Sequence, residues 1–169
     1  SKAACRRPRR GAENNSAAAG GTLLLFARAI DHDFVNYDDP DYVTANPHVR
    51  AGLSFAGIGW AFTSGAASNW HPLSWLSHQL DVTLCGLNPR GHHATSVVLH
   101  ALNAALAFLA FRRLTGAAGA SLVCAALFAW HPLRVESVSW VAERKDVLSG
   151  CLWFLTLWCY AVYAERRRP

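Results

Sequence analysis

The stretch Phe34-Val-Asn-Tyr-Asp-Asp-Pro-Asp-Tyr42 sets three carboxylates, Asp38, Asp39 and Asp41, within four residues. Mutual repulsion at that spacing raises the pKa of at least one of them unless a cation or hydrogen-bond donor compensates. A carboxyl group raised toward neutrality is a general base, able to take a proton from a hydroxyl near pH 7. The same residues read equally as a helix start, with Asp39 as N-cap, Pro40 at the first helical position and Asp41 favourable to the helix dipole. The readings are compatible, since a cap fixes one aspartate and leaves Asp38 free.

A second polar stretch runs His131-Pro-Leu-Arg-Val-Glu-Ser-Val-Ser-Trp-Val-Ala-Glu-Arg-Lys-Asp146. At helical spacing Val135, Val138 and Val141/Ala142 form an apolar stripe, with Glu136, Ser139/Trp140 and Glu143 on another face. That pattern predicts an amphipathic segment lying along a membrane surface. Arg144 and Lys145 stand directly before an apolar run. Either Glu143 and Asp146 neutralise them, or they receive an anionic group such as a lipid phosphate. The tetrapeptide Trp70-His71-Pro72-Leu73 recurs as Trp130-His131-Pro132-Leu133. One reading is a repeated interfacial anchor, in which Trp seeks the membrane boundary and Pro ends a helix. The other is that two anchors hold two loops against one cavity, each offering an imidazole.

The remaining chemistry-bearing residues say less. The five cysteines, Cys5, Cys85, Cys124, Cys151 and Cys159, are odd in number and scattered, with no C-x-x-C. They predict small hydrophobes rather than a disulfide framework or a zinc site. None of the eight histidines forms an H-E-x-x-H pair. His93 and His100 lie two helical turns apart, where hydrogen bonding is the expected use.

The elements that must position these loops are apolar. Of 169 residues 52% are hydrophobic and 16% charged, against about a quarter charged in an ordinary soluble domain, and mean hydropathy is +0.13. Between Ala94 and Phe111 the non-apolar residues are Thr95, Ser96, His100 and Asn103, and neither 116–130 nor 147–163 holds a charge. A bilayer core needs about 20 apolar residues per helix, about 17 at the least, so spans are expected at 94–111, 116–130 and 147–163. A soluble helical bundle would show polar faces, which these runs lack. Residues 22–30 form a shorter apolar stub, interrupted by Arg28.

Charge orients them. Arg6, Arg7, Arg9 and Arg10 precede the stub, Arg112 and Arg113 close the second run, and Arg166, Arg167 and Arg168 close the last. Short Lys/Arg-rich segments stay cytoplasmic. Four spans with those clusters inside leave 31–93 and 131–146 as two outer loops, and Asp31, Asp33, Asp38, Asp39, Asp41 and Asp81 all fall in the first. The net charge of +5 is thus an orientation signal. No basic stripe with interleaved aromatics points to nucleic acid. Residues 1–21, basic then Ala/Gly-rich, are expected to be a disordered tail. The absence of methionine leads us to expect a fragment of a longer protein.

The strings FVNYDDPDYVTANPHV, NWHPLSWLSHQLD, GHHATSVVLHALNA and HPLRVESVSWVAERKDVLSG resemble the N-terminal membrane region of the bacterial TMTC-like proteins. These are transmembrane and tetratricopeptide-repeat (TPR) proteins related to protein O-mannosyltransferases of the GT-C glycosyltransferase class. The resemblance covers about 34–163. It departs in a truncated first span before Asp33 and in the absence of the repeats that would follow the fourth span. It implies an all-α polytopic membrane fold, GT-C-like, placed in a bacterial inner membrane with its catalytic loops on the extracytoplasmic side. It implies transfer of a sugar from a polyprenyl-phosphate donor to a hydroxyl, on a protein acceptor, at the membrane lipid surface. Asp38 and Asp39 match the acidic catalytic pair. In that reaction Arg144 and Lys145, with His131, would bind the donor phosphate, and Glu136, Asp41 and His71 would orient groups or bind the acceptor. Oxygen ligands on Asp38 and Asp39 suit Mg²⁺ or Mn²⁺, and nothing in the residues demands either. The rival expectation is a non-catalytic membrane anchor for TPR repeats. A transporter would want ionisable residues within the spans, where only His100 and Asn103 stand.

Overall fold

The computed structural model describes residues 7–167, and every regular element among them is helical. Cys5, Arg6 and Arg168 lie outside the described residues. The first helix, α1, covers Arg7–Phe26, so where an irregular tail was expected the chain is helical from Arg7 onward. The reason is composition: Ala12 and Ala17 to Ala19 are strong helix formers, and Ala18 is buried against Ala104 and Ala129. The apolar stub ends as the last turn of α1 and a 3₁₀ turn, Ala27–Asp31.

Three short helices follow. A π-helical turn at Pro40–Thr44 leads to α2, Pro47–Arg50, whose N-cap Asn46 accepts from the amides of His48 and Val49. Next comes α3, Phe55–Thr63, capped by the Ser54 hydroxyl on the Gly57 amide. Helix α4, Pro72–Cys85, has proline at its start and stops at Gly86 in the left-handed region, φ +63°. Helix α5, Pro89–Thr115, carries Arg112 and Arg113 in its last turn and is ended by Gly116 at φ +70°. Helix α6, Ala118–Ala129, is followed by α7, Arg134–Ser139, a 3₁₀ turn at Val141–Glu143 and α8, Arg144–Arg166.

Two segments, Pro89–Thr115 and Val141–Arg166, are long and apolar enough to cross a membrane. The run 116–130 yields only the 12-residue α6, about 18 Å long against a hydrocarbon core of about 30 Å. Gly116 and the Trp130-His131-Pro132 break clip it at both ends.

The chain divides into two compact units. One holds the residues up to Leu25, Val98–Arg134 and Ser149 onward. Its interior packs small against large: Ala107, Phe108, Ala125 and Phe154 form one cluster, and Ala18, Ala104 and Ala129 another. Large apolar side chains face outward, with Leu24 80%, Leu127 66% and Trp153 66% exposed, as a lipid-facing surface requires. The other unit holds Phe26–Val97 and Val135–Leu148. Its core is Tyr42, Val43, Val49, Ala61, Trp75, Val141 and Ala142. Within it α3 meets α4 where the Gln79 amide donates to the Gly57 carbonyl, 3.2 Å. A Cβ at Gly57 would stand 2.8 Å from Gln79 Oε1, so a larger residue there must displace the Gln79 amide.

Candidate functional site

The polar residues that converge all belong to the second unit. Asp39 starts the Pro40 turn, yet its side chain is not the cap: no capping hydrogen bond forms there. The fully buried carboxylate instead accepts the Val35 amide on Oδ2, 2.7 Å, and the Ala142 amide on Oδ1, 2.9 Å. It ties the two polar stretches together across 103 residues. Burial pushes the Asp39 carboxyl above the usual carboxylate range, against the pull of those two amides and of His93. Repulsion from Asp38, the cause read from sequence, contributes least. Asp38 is half-buried and holds none of these staples.

Beside them lies Tyr42, buried, stacked on His71 at 5.4 Å and 6° and on Trp75 at 5.0 Å. Lys145 Nζ sits 5.5 Å over the Tyr42 ring and pairs with Glu143 at 2.7 Å. Burial raises the Tyr42 hydroxyl pKa, Lys145 opposes the rise, and Glu143 and Asp38 add to it. Burial and then Lys145 lower the pKa of His71, whose two ring nitrogens, both buried, have no partner. The cluster therefore sets a neutral imidazole and an ammonium against one aromatic ring, with the Asp38 carboxylate acting electrostatically on the Tyr42 hydroxyl.

Arg144 points elsewhere. Helix geometry turns successive residues by about 100°, so Arg144 and Lys145 cannot share a face. The Arg144 guanidinium is fully buried: Nε donates to Ser96 Oγ at 2.9 Å, Nη1 to Ser77 Oγ at 2.7 Å, and Nη2 to the His92 carbonyl at 2.6 Å. Nη1 also stands 2.9 Å from Asp81 Oδ2. Asp81 Oδ1 accepts from the Thr95 hydroxyl at 2.7 Å.

Among the described residues one group has metal-ligand character: His78, Asp81 and His92, with ligand atoms all within 4.8 Å of one another. This nitrogen-rich set suits zinc better than Mg²⁺ or Mn²⁺. Arg144 already supplies a cation to its only carboxylate. The Asp38–Asp39 pair fits a divalent cage poorly, because both Asp39 oxygens face backbone amides.

Of the residues singled out by sequence, the fold thus gathers Asp38, Asp39, His71 and Lys145. Arg144, expected on a donor phosphate, is instead found paired with Asp81. Asp41 and Glu136 are exposed, and the Asp41 carbonyl accepts from the Asn46 amide group. His131 belongs to the other unit, is exposed, and its Nδ1 accepts the Leu133 amide at 3.2 Å. The two Trp-His-Pro-Leu copies serve opposite local ends, one opening α4 and the other following α6. The expected amphipathic segment is broken at Trp140, between the six-residue α7 and the 3₁₀ turn, with Val135 exposed. Tyr42, Asp81, Ser77 and Ser96 joined the arrangement without being singled out for it, whereas Glu143 neutralises Lys145 as one of the two sequence alternatives had it. Asp81 carries the one available signal, standing a helical turn from His78 on a segment bounded by Pro72 and Gly86.

No family model and no solved structure matches the chain. Among curated proteins, mouse protein O-mannosyl-transferase TMTC1 is 36% identical over 167 residues, covering 91% of this chain and 17% of its own length. Human protein O-mannosyl-transferase TMTC1 is 35% identical over 147 residues, 81% of this chain and 16% of its own. Xenopus laevis protein O-mannosyl-transferase tmtc2 is 32% identical over 163 residues, 92% of this chain and 19% of its own. The chain spans less than a fifth of each of these relatives.

Proposed function

Because the chain is homologous along 91% of its length to a TMTC protein O-mannosyl-transferase, we propose that it carries catalytic loops of a membrane-embedded glycosyltransferase. The reaction is inverting transfer of a mannosyl unit from a polyprenyl-phosphate donor to a hydroxyl on a protein. The observation that carries this reading is the half-exposed Asp38 carboxylate beside an Asp39 already stapled to two amides. Asp38 takes the proton of the acceptor hydroxyl. The acceptor oxygen bonds to the anomeric carbon as that carbon's bond to the phosphate oxygen breaks, and the electron pair leaves with the polyprenyl phosphate. Lys145 offsets the charge growing on that phosphate, and the neutral His71 imidazole orients the hydroxyl. The apolar helices hold these loops at the membrane, on the extracytoplasmic side by the placement of arginines.

The structural use of Asp39 also favours a second reading, a non-catalytic anchor for repeats elsewhere in the protein. One experiment separates them: transfer from polyprenyl-phosphate mannose by the full-length protein in membrane vesicles. Asp38→Asn is expected to reduce transfer by about 10²–10⁴-fold with unchanged membrane insertion, and Asp39→Asn to abolish it. Full transfer by Asp38→Asn would overturn the base assignment. A wild type that neither transfers mannose nor retains the donor through purification would favour the anchor.

A further inference from the structure

The buried Arg144–Asp81 pair and the Asp39 staple meet in one short segment. Ala142, whose amide lies on Asp39 Oδ1 at 2.9 Å, stands two residues before Arg144, and Lys145 stands one after it. Between Ala142 and Arg144 the chain is the end of a 3₁₀ turn running straight into α8, which leaves little slack. Every guanidinium nitrogen of Arg144 is spent on the surrounding framework: Ser96, Ser77, Asp81 and the His92 carbonyl, drawn from α4 and the start of α5. A planar fork with donors in three directions is needed for such a set, and a lysine ammonium cannot reproduce it. The guanidinium, with no exposed surface, cannot meet a donor phosphate from where it stands.

We propose that Arg144 is a positioning residue, clamped by Asp81, Ser77, Ser96 and the His92 carbonyl so that the Ala142 amide holds Asp39 and Lys145 stays over Tyr42. The inference rests on the reading of Asp38 and Lys145 as the working groups, and it changes what the adjacent arginine is for. A cation that binds donor phosphate acts on donor affinity. A cation that fixes the segment acts on the geometry of the reacting groups, and its loss is shared by its anchors.

The test uses full-length protein in lipid nanodiscs with polyprenyl-phosphate mannose, comparing wild type with Arg144→Lys and Asp81→Asn. Both variants should lower kcat by about tenfold or more, each tenfold being one step in barrier height, while KM for the donor stays within about twofold. Hydrogen exchange across residues 140–145 should quicken in both, reporting release of the Ala142 amide. Should either variant fail to fold, Ser77→Ala and Ser96→Ala each remove one clamp bond and should show the same pattern at smaller amplitude. A rise in donor KM with unchanged kcat, confined to Arg144→Lys, would overturn positioning in favour of direct phosphate binding. Unchanged exchange at 140–145 in every variant would overturn it as well. A wild type without transfer would instead overturn the proposed function, and exchange at Ala142 would still decide whether Arg144 holds the segment.

Discussion

In the apolar unit the buried side chains of Thr22, His100 and Ser121 find backbone partners close at hand. His100 Nε2 bonds the Ala129 carbonyl at 2.9 Å, and the Thr22 hydroxyl reaches the Ala18 carbonyl at 2.8 Å while accepting the Trp130 indole N–H at 3.1 Å. In the loop-built unit the balance is different. Asp39, His78, Asp81, His92, His93 and Arg144 are all buried there, and both ring nitrogens of His78 lack a hydrogen-bond partner. Polar groups in a membrane helix packing earn their place by joining helices. A buried polar group beyond what the backbone can satisfy costs stability, so its retention points to work at the site. The contrast makes the loop unit the sensitive half of the chain, and substitutions in the two units should behave differently.

The sharpest way to break the contrast is to unpair its largest buried charge. Arg144→Met leaves the Asp81 carboxylate buried without its guanidinium, which costs about 3–5 kcal/mol. Replacing both partners, Asp81→Leu with Arg144→Met, should recover most of that loss, since an apolar pair leaves no isolated charge. Thermal unfolding of the full-length protein in nanodiscs measures both. A double variant no more stable than Arg144→Met would show that the pair is not the unit holding this region.

The helices were largely legible in the sequence and the clamp was not, for physical reasons. Uncharged runs at 94–111 and 147–163 dictate helices wherever a chain meets lipid, and α5 and α8 cover them. The run at 116–130 overstates α6 because apolar content alone does not register a glycine at positive φ or a Trp-His-Pro stop. Helix α1 was missed because alanine propensity carries no periodicity to read. In the site, Asp38 and Asp39 are visible as a local cluster. By contrast Arg144 meets Ser96 and Ser77 across 48 and 67 residues. In sequence Arg144 and Lys145 are two equal cations side by side; a turn of about 100° per residue gives one to the interior and one to the site. Only packing distinguishes them.

A smaller effect tests the apolar unit. His100→Leu removes a buried bond and leaves the Ala129 carbonyl short of a donor, a cost of about 1–3 kcal/mol. Transfer per folded molecule should stay at the wild-type value, because this histidine serves helix packing. Loss of transfer as deep as that of Asp81→Asn, in protein shown to be folded, would erase the difference between the units.

The smallest effect sharpens the contrast through pH. Burial first, then the charge of Arg144, hold the His78 pKa well below the ordinary histidine value. The imidazole is therefore neutral in the fold, while in the unfolded chain it takes a proton once pH falls below about 6.5. Below that value the unfolded state binds more protons, so stability must decline as pH drops. Asp39 acts with the opposite sign: its raised pKa means that ionising it in the fold costs stability as pH rises through the carboxylate range. The two slopes separate because His78→Gln removes only the first. Unfolding temperatures of wild type and His78→Gln, followed from pH 7.5 to about 5.5, should converge on acidification, as the wild type declines more steeply. Parallel declines would mean that His78 does not reside neutral in the core, and the excess of buried polar groups in the loop unit would have to be carried by the Asp39 and Arg144 clusters alone.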